Sequence, residues 1–457
     1  LASTLLSELL RPRTKPQGIG KPAGLGDFSV PTASETRPIP VIWGWRKHVS
    51  PNCVWLGDLA IEEVKEKVRT GLFSSTSVVK GYNYRVGAQF ALCHGIIHKL
   101  YSVQVQNKDL YRNTDGGFTL GAGFYIAGTL GDGSSTQTIR SLVSILDPAQ
   151  GSGYMQAQQT YAPRYPGKTI FNFFGPSLAS DPKSGLIGQT PTMPALEFEV
   201  LRLPDCSNFP VISGRPLYLT VNPFGPTNIN PTAQPGAAGK NANPVAALWE
   251  LLTNADFGAG LPVDLIDFDS FIDASYTMCV EGNALNMMWD NSKSIEDIKE
   301  EIERQINGAL YTDPATGKLT LRLIRAANPV ALQLTPSNIA ELMSYSKTAA
   351  PDATNEVRLT FDDSSANFKQ RLAVVQDFGA IAGLGNANIN STNVDYPGIT
   401  DAVLASAMAT RDLRLMSGTL AKATVRVLQQ PGQFLKPSDK VALTYPDIGL
   451  ENVAMRV

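Results

Sequence analysis

Apolar residues recur along this chain in two rhythms, and the change from one to the other organises it. Ile39, Val41, Trp43 and Trp45 fall at every second position, the period of a strand with one buried face, and NCVWLGD continues in the same style. From Tyr82 to about Leu203 come short apolar runs, YNYRVGAQFALC, YSVQVQ, TIFNFF and LEFEVLRL, separated by Gly, Pro, Asn and Asp clusters. This stretch is expected to be mostly sheet. IEEVKEKVR is ambiguous: Ile61, Val64 and Val68 have helical spacing, but the segment is short and its β-rich neighbours can override a local preference.

Beyond Asn243 the rhythm turns helical. Asn243 suits an N-cap and Pro244 a first helical position, so VAALWELLTNA is expected as a short helix ending before Phe257 and Gly258. SIEDIKEEIERQIN repeats the logic: Ser294 can cap, acids fill the first turn, and Ile295, Ile298, Ile302 and Ile306 make one apolar stripe. GALYTDPATGKLTLRLIR follows with Asp313, Pro314 and Gly317 between two strand-like runs, which gives a hairpin. Farther on, NEVRLTF, RLAVVQD and LAKATVRVLQ read as strands, and Thr400 to about Ser417 reads as a helix stopped by Gly418 at C′. KVALTY and VAMRV look like partners in one sheet, and with the chain ending inside a β pattern a continuation beyond Val457 is expected.

The punctuation sets the divisions. Residues 1–38 read as an extended N-terminal arm: Pro12, Pro16, Gly18, Gly20, Pro22, Gly24, Gly26 and Pro31 interrupt helix and strand alike. Leu5, Leu6, Leu9 and Leu10 precede that connector on what a helix would make one face, and are candidates for docking to a partner. Residues 39–221 form a β-rich region, 222–243 a Pro-, Gly- and Asn-rich linker or surface loop, 244–330 an α+β domain, and 331–457 a second β-rich domain cut short at its C-terminal end. The fold class is α+β, β-rich and multidomain.

Bulk properties narrow the function. At 457 residues the chain is long enough for about two to four domains with buried cores. A net charge of −2, from 39 Lys and Arg against 41 Asp and Glu, gives no global excess of positive charge to hold a phosphate backbone. Cys53, Cys93, Cys206 and Cys279 are widely spaced, which suits reduced thiols. No stretch reaches the roughly 20 apolar residues of a membrane helix. The chain also begins without Met, so an earlier translated start is expected.

Chemistry-bearing clusters are few. Cys93, His94 and His98 in ALCHGIIHKL are the candidate metal ligands, with the two histidines four apart, but no Glu follows His94, Gly95 disfavours a helix, and a third and fourth ligand are missing. Packing is the expected role, with no metal and no cofactor. Glu197 and Glu199 would share a strand face, and Asp264, Asp267 and Asp269 cluster, with the last two suiting the cap and first turn of a helix DFDSFID. GIGKPAGLG lacks the strand and helix of a dinucleotide site, and neither a GxxxxGK[ST] nor a GxSxG motif occurs. Trp43, Trp45 and Trp55 make a core or a sugar-stacking platform.

FSVPTASETRPIPVIWGW, NCVWLGD, KGYNYRVGAQFALCHGII, NPVAALWELLTNADFGAGLPVDLID, YTDPATGKLTLRLIR, TNEVRLTF and VDYPGITD occur in that order. In this the chain resembles, from about Phe28 to Val457, the tail-tip (baseplate) hub family of bacteriophages, which includes tip-attachment proteins of long-tailed phages and hub proteins of gene-transfer agents. In that family an acidic residue is common at the position of His94, and an acidic or small one at that of Ile97, which counts against a metal role. The resemblance implies tail-tube-like β-barrel domains joined to smaller α+β domains, and three copies arranged as a pseudo-hexameric ring. It further implies a structural, non-enzymatic role at the distal end of the tail in the virion, with no catalytic residue. The partners would be the distal tail or tail-tube proteins, the tape-measure protein and receptor-binding tip or fibre proteins, with phage DNA only in transit. The rival classes are a tip-associated polysaccharide or peptidoglycan hydrolase, which needs carboxylates gathered in a cleft, and a receptor-binding module, which exposes aromatics.

Overall fold

The computed structural model describes residues 21–30, 37–69, 75–105, 108–114, 117–120, 143–145, 168–173, 186–212, 214–222, 239–290, 292–347, 353–383, 389–417, 421–433 and 435–457. Contacts divide the chain into two compact units: Leu1–Ile39, His48–Ile96 and Leu100–Phe198 form the first, and Pro40–Lys47, Ile97–Lys99 and Glu199–Val457 the second. Leu5, Leu6, Leu9 and Leu10 lie outside the described residues. Both units are β-rich and, among the described residues, the α-helices lie in the second, so the chain is of the α+β class expected; among the described residues no sheet closes on itself.

The first unit is built on a long antiparallel hairpin, Asn52–Arg69 against Ser75–His94. Its second strand takes Lys168–Phe173 and Leu186–Gly188 on the other edge, and Val143–Ile145 pairs beyond Lys168–Phe173. From Tyr84 to Cys93 that strand is buried on nearly every side chain, as a central strand should be, and Phe90 and Phe171 both meet Phe198, the latter edge-on at 4.8 Å. IEEVKEKVR is strand: Ile61 pairs with Tyr84 and Val68 with Thr76. Its charges are satisfied across the ladder, Glu62 by Arg85 at 2.9 Å and Glu66 by Lys80. Cross-strand pairing thus overrides the helical spacing of Ile61, Val64 and Val68.

Part of the connector is anchored. Ala23 N–H donates to the Tyr84 hydroxyl at 3.0 Å, Phe28 meets the Tyr84 ring edge-on at 5.5 Å, and Ser29 forms a parallel bridge with Thr192. Truncation after Val30 is therefore expected to lower the melting temperature of the first unit more than truncation after Gly20, by an amount worth about 1–2 kcal/mol. Equal melting of the two truncated chains, followed by circular dichroism, would show that this anchoring contributes nothing.

In the second unit the local signals are realised closely. Helix α1 is Pro244–Thr253, with Asn243 accepting from Val245 N–H at 3.0 Å and Pro244 at its first position. Helix α2 is Phe268–Glu281; Asp267 occupies its N-cap without a side-chain capping bond. Helix α3, Ile295–Ile306, carries a reciprocal capping box: Ser294 accepts from Asp297 N–H at 3.1 Å and Asp297 accepts from Ser294 N–H at 2.9 Å. Ile298, Ile302 and Ile306 face its core. The hairpin Gly308–Thr312 with Leu319–Leu323 follows, and its turn uses the left-handed backbone of Gly317.

The C-terminal part holds two layers of sheet and an inserted module. Val330–Leu334, Lys440–Tyr445 and Leu450–Arg456 form one sheet, Ile339–Lys347 and Ala421–Val427 another, around Leu334, Ile339, Val441, Leu443 and Leu450. KVALTY and VAMRV are partners, as expected. Between Lys347 and Ala421, which pair with each other, the chain builds a further sheet: Glu356–Asp363 lies between antiparallel Lys369–Gln376 and parallel Ser391–Asp395. Helix α4 is Phe378–Gly383, and helix α5, Ala402–Met416, packs on this sheet over buried Val357, Leu359 and Phe361. Gly418 lies outside the described residues.

Candidate functional site

The candidate ligands have structural neighbours. Cys93 is fully buried near the end of its strand and His94 closes that strand. His98 Nδ1 accepts from Leu203 N–H at 3.1 Å, and burial, with the nearby Arg202 charge, holds its pKa down to about 4. It is a neutral imidazole whose Nδ1 is already used. Among the described residues no three His, Cys, Asp or Glu side chains are arranged to hold a metal ion. All four cysteines are free thiols, and burial pushes Cys53 and Cys279 up to about 11.

Several of the acidic residues have protein partners or lie exposed. Glu199 accepts from the Trp45 indole N–H at 2.7 Å, and Asp269 and Asp273 share Arg215. Asp264 is exposed on a separate turn. Trp43 is core, stacked on Trp289 at 6.4 Å, whereas Trp45 is half-buried between the Phe368 edge at 5.1 Å and Lys240 Nζ at 4.2 Å from its ring.

What the second unit does gather is a polar clasp that sequence reasoning missed. Asn286 Oδ1 accepts from Trp45 N–H at 2.9 Å, while its Nδ2 donates to Asn241 at 2.7 Å and to Thr400 at 2.6 Å. Its own N–H donates to Gly398 O at 2.7 Å. One buried amide therefore ties Val41–Val49, the short strand Asn241–Ala242 that leads into α1, Met287–Trp289 and the VDYPGITD segment together. The rest of that segment is equally committed. Arg304 donates to Asp395 O at 2.5 Å, Tyr396 OH donates to Asp412 at 2.7 Å, and Asp401 caps α5 by accepting from Val403 and Leu404 N–H. Arg411 donates to Gln305 O at 2.6 Å and Arg304 O at 3.3 Å, satisfying carbonyls at the C-terminus of α3. A Cβ on Gly398 would lie 2.4 Å from Leu285 Cδ1 and 2.8 Å from Gln305 Oε1, so a side chain there would force these side-chain ends to shift.

A second polar assembly is deeper. Arg202 and Glu250 are each about 1% exposed; Arg202 Nη2 meets Glu250 Oε1 at 2.5 Å, Arg202 Nη1 meets Glu250 Oε2 at 3.1 Å and Ile42 O at 3.0 Å, and Trp43 Nε1 donates to Glu250 Oε2 at 2.7 Å. The groups come from separate strands and from α1, so the pair fixes their relative placement.

One carboxylate is held under stress. Glu303 Oε1 on α3 is buried without a hydrogen-bond partner, and burial, aided by Glu296 and Glu300 against the opposing pull of Lys299, raises its pKa to about 7. A raised folded-state pKa favours the folded protein when the group is protonated, and that contribution is lost as pH rises through about 7. Glu303→Gln is expected to stabilise the protein at pH 8 by roughly 1 kcal/mol, after allowing for solvent screening, and to have little effect at pH 4. Denaturant midpoints at the two pH values check this; a gain that does not depend on pH would remove the titration argument.

Residues 300–457 match the family described as "Putative phage tail protein". No curated protein sequence matches the chain. Among solved structures, a chain of the virion of a native gene transfer agent (GTA) particle superposes over 97% of this chain and 85% of its own, with TM-score 0.57 and 14% identity. The 43 kDa tail protein of prophage MuSo2 from Shewanella oneidensis overlaps 38% of this chain and 50% of its own, at TM-score 0.26 and 15% identity. Prophage tail protein gp18 from Listeria monocytogenes EGD-e overlaps 38% and 48%, at TM-score 0.24 and 9% identity. These last two overlaps are too partial to define a shared fold. The C-terminal third of the chain is thus similar to a phage tail protein family, and nearly the whole chain shares the fold of a gene-transfer-agent virion chain.

Proposed function

We propose that this protein is the structural hub of a tail tip, joining the tail tube to the host-recognition tip and closing or gating the DNA channel, without catalysis of its own. The observation that carries the reading is the shared fold over 97% of the chain with a virion chain of a gene transfer agent particle. It is supported by the chemistry of the second unit, where polar groups are spent on joining elements: Asn286, Arg411 and the Arg202–Glu250 pair all bond protein partners. In this reading three copies form a ring, residues 39–221 and 331–457 supply tube-like barrel domains, and 244–330 is a smaller α+β domain. The ring sits at the distal end of the tail. It contacts distal tail or tail-tube proteins, the tape-measure protein and receptor-binding tip or fibre proteins, with DNA passing through. Leu5, Leu6, Leu9 and Leu10 dock the arm onto one of these neighbours. No cofactor or metal is required.

Symmetry analysis of assembled particles by electron cryomicroscopy, with this chain tagged, tests the reading. Three copies at the tail end are expected. A single copy per particle, or a position away from the tail end, would overturn it.

A further inference from the structure

We draw no further inference here: the strongest candidate, the exposed apolar face that Leu372 and Val374 present on the strand Lys369–Gln376 with exposed Phe378 just beyond it, carries none because nothing in the structure shows what covers it.

Discussion

Replacing Gly44 with alanine is expected to destabilise the second unit by about 3–5 kcal/mol, a loss at the severe end for one methyl group. Gly44 has φ +81°, a conformation that side chains rarely adopt, and a Cβ there would lie 2.1 Å from Asn286 Oδ1 and 2.5 Å from Leu285 O. The first contact falls on the atom that accepts from Trp45 N–H. To make room the Asn286 amide must turn, which also breaks its bonds to Asn241 and Thr400 and leaves polar groups unpaired in a site only 2% exposed. The second contact is with backbone and cannot be relieved by a rotamer. Equilibrium denaturation of Gly44→Ala reads the loss. Adding Asn286→Ala should cost much less in that background than in the parent, because the clasp is already broken. A Gly44→Ala protein that unfolds at the parental midpoint would show that the close approach is not a native feature.

The sequence revealed the elements whose signals lie within one turn of chain. Asn243–Pro244 and Ser294–Asp297 announce helices because cap and capped group are two or three residues apart, and the turn around Asp313 and Gly317 does the same for a hairpin. IEEVKEKVR failed that test in an instructive way: its valines are β-branched, and its strand state depends on Ser75–Tyr84 lying alongside. The clasp was illegible for a similar reason. Asn286 reaches residues 241, 45 and 114 positions away, and an asparagine with such partners looks in the sequence like any other polar residue. VDYPGITD was visible only as part of a resemblance. Its chemistry is now plain: Arg304 of α3 lies over the Tyr396 ring and Gly398 and Thr400 bond Asn286, which tie the inserted module to the rest of the unit, while Asp401 caps α5 within it.

That distinction bears on function. Sequence reasoning looked for chemistry among histidines, cysteines and clustered acids; of these, Cys93 is buried, His98 accepts from Leu203 N–H, and Asp267 stands at the N-cap of α2 without a side-chain capping bond. The structure's most constrained polar residues instead join strands to helices.

The buried ion pair supports the sharpest test of that cohesion. Glu250→Gln is expected to cost about 3–5 kcal/mol, because it leaves the Arg202 guanidinium enclosed without its counter-charge. Glutamine keeps a carbonyl for Trp43 Nε1–H, so the loss isolates the charge from the indole bond. Arg202→Met should cost a similar amount by stranding the carboxylate. The double variant, Arg202→Met with Glu250→Gln, removes both charges and keeps most of the volume, so it is expected to recover at least half of either single loss. A second readout is independent of stability. Burial is the larger cause of the depressed His98 pKa and Arg202 the next, so in Arg202→Met the imidazole should titrate above its present value of about 4 yet short of 6.5. Carbon-detected NMR of His98 follows that titration in the folded protein. Costs that simply add in the double variant, together with an unmoved His98 titration, would mean that Arg202 and Glu250 are neighbours without being coupled.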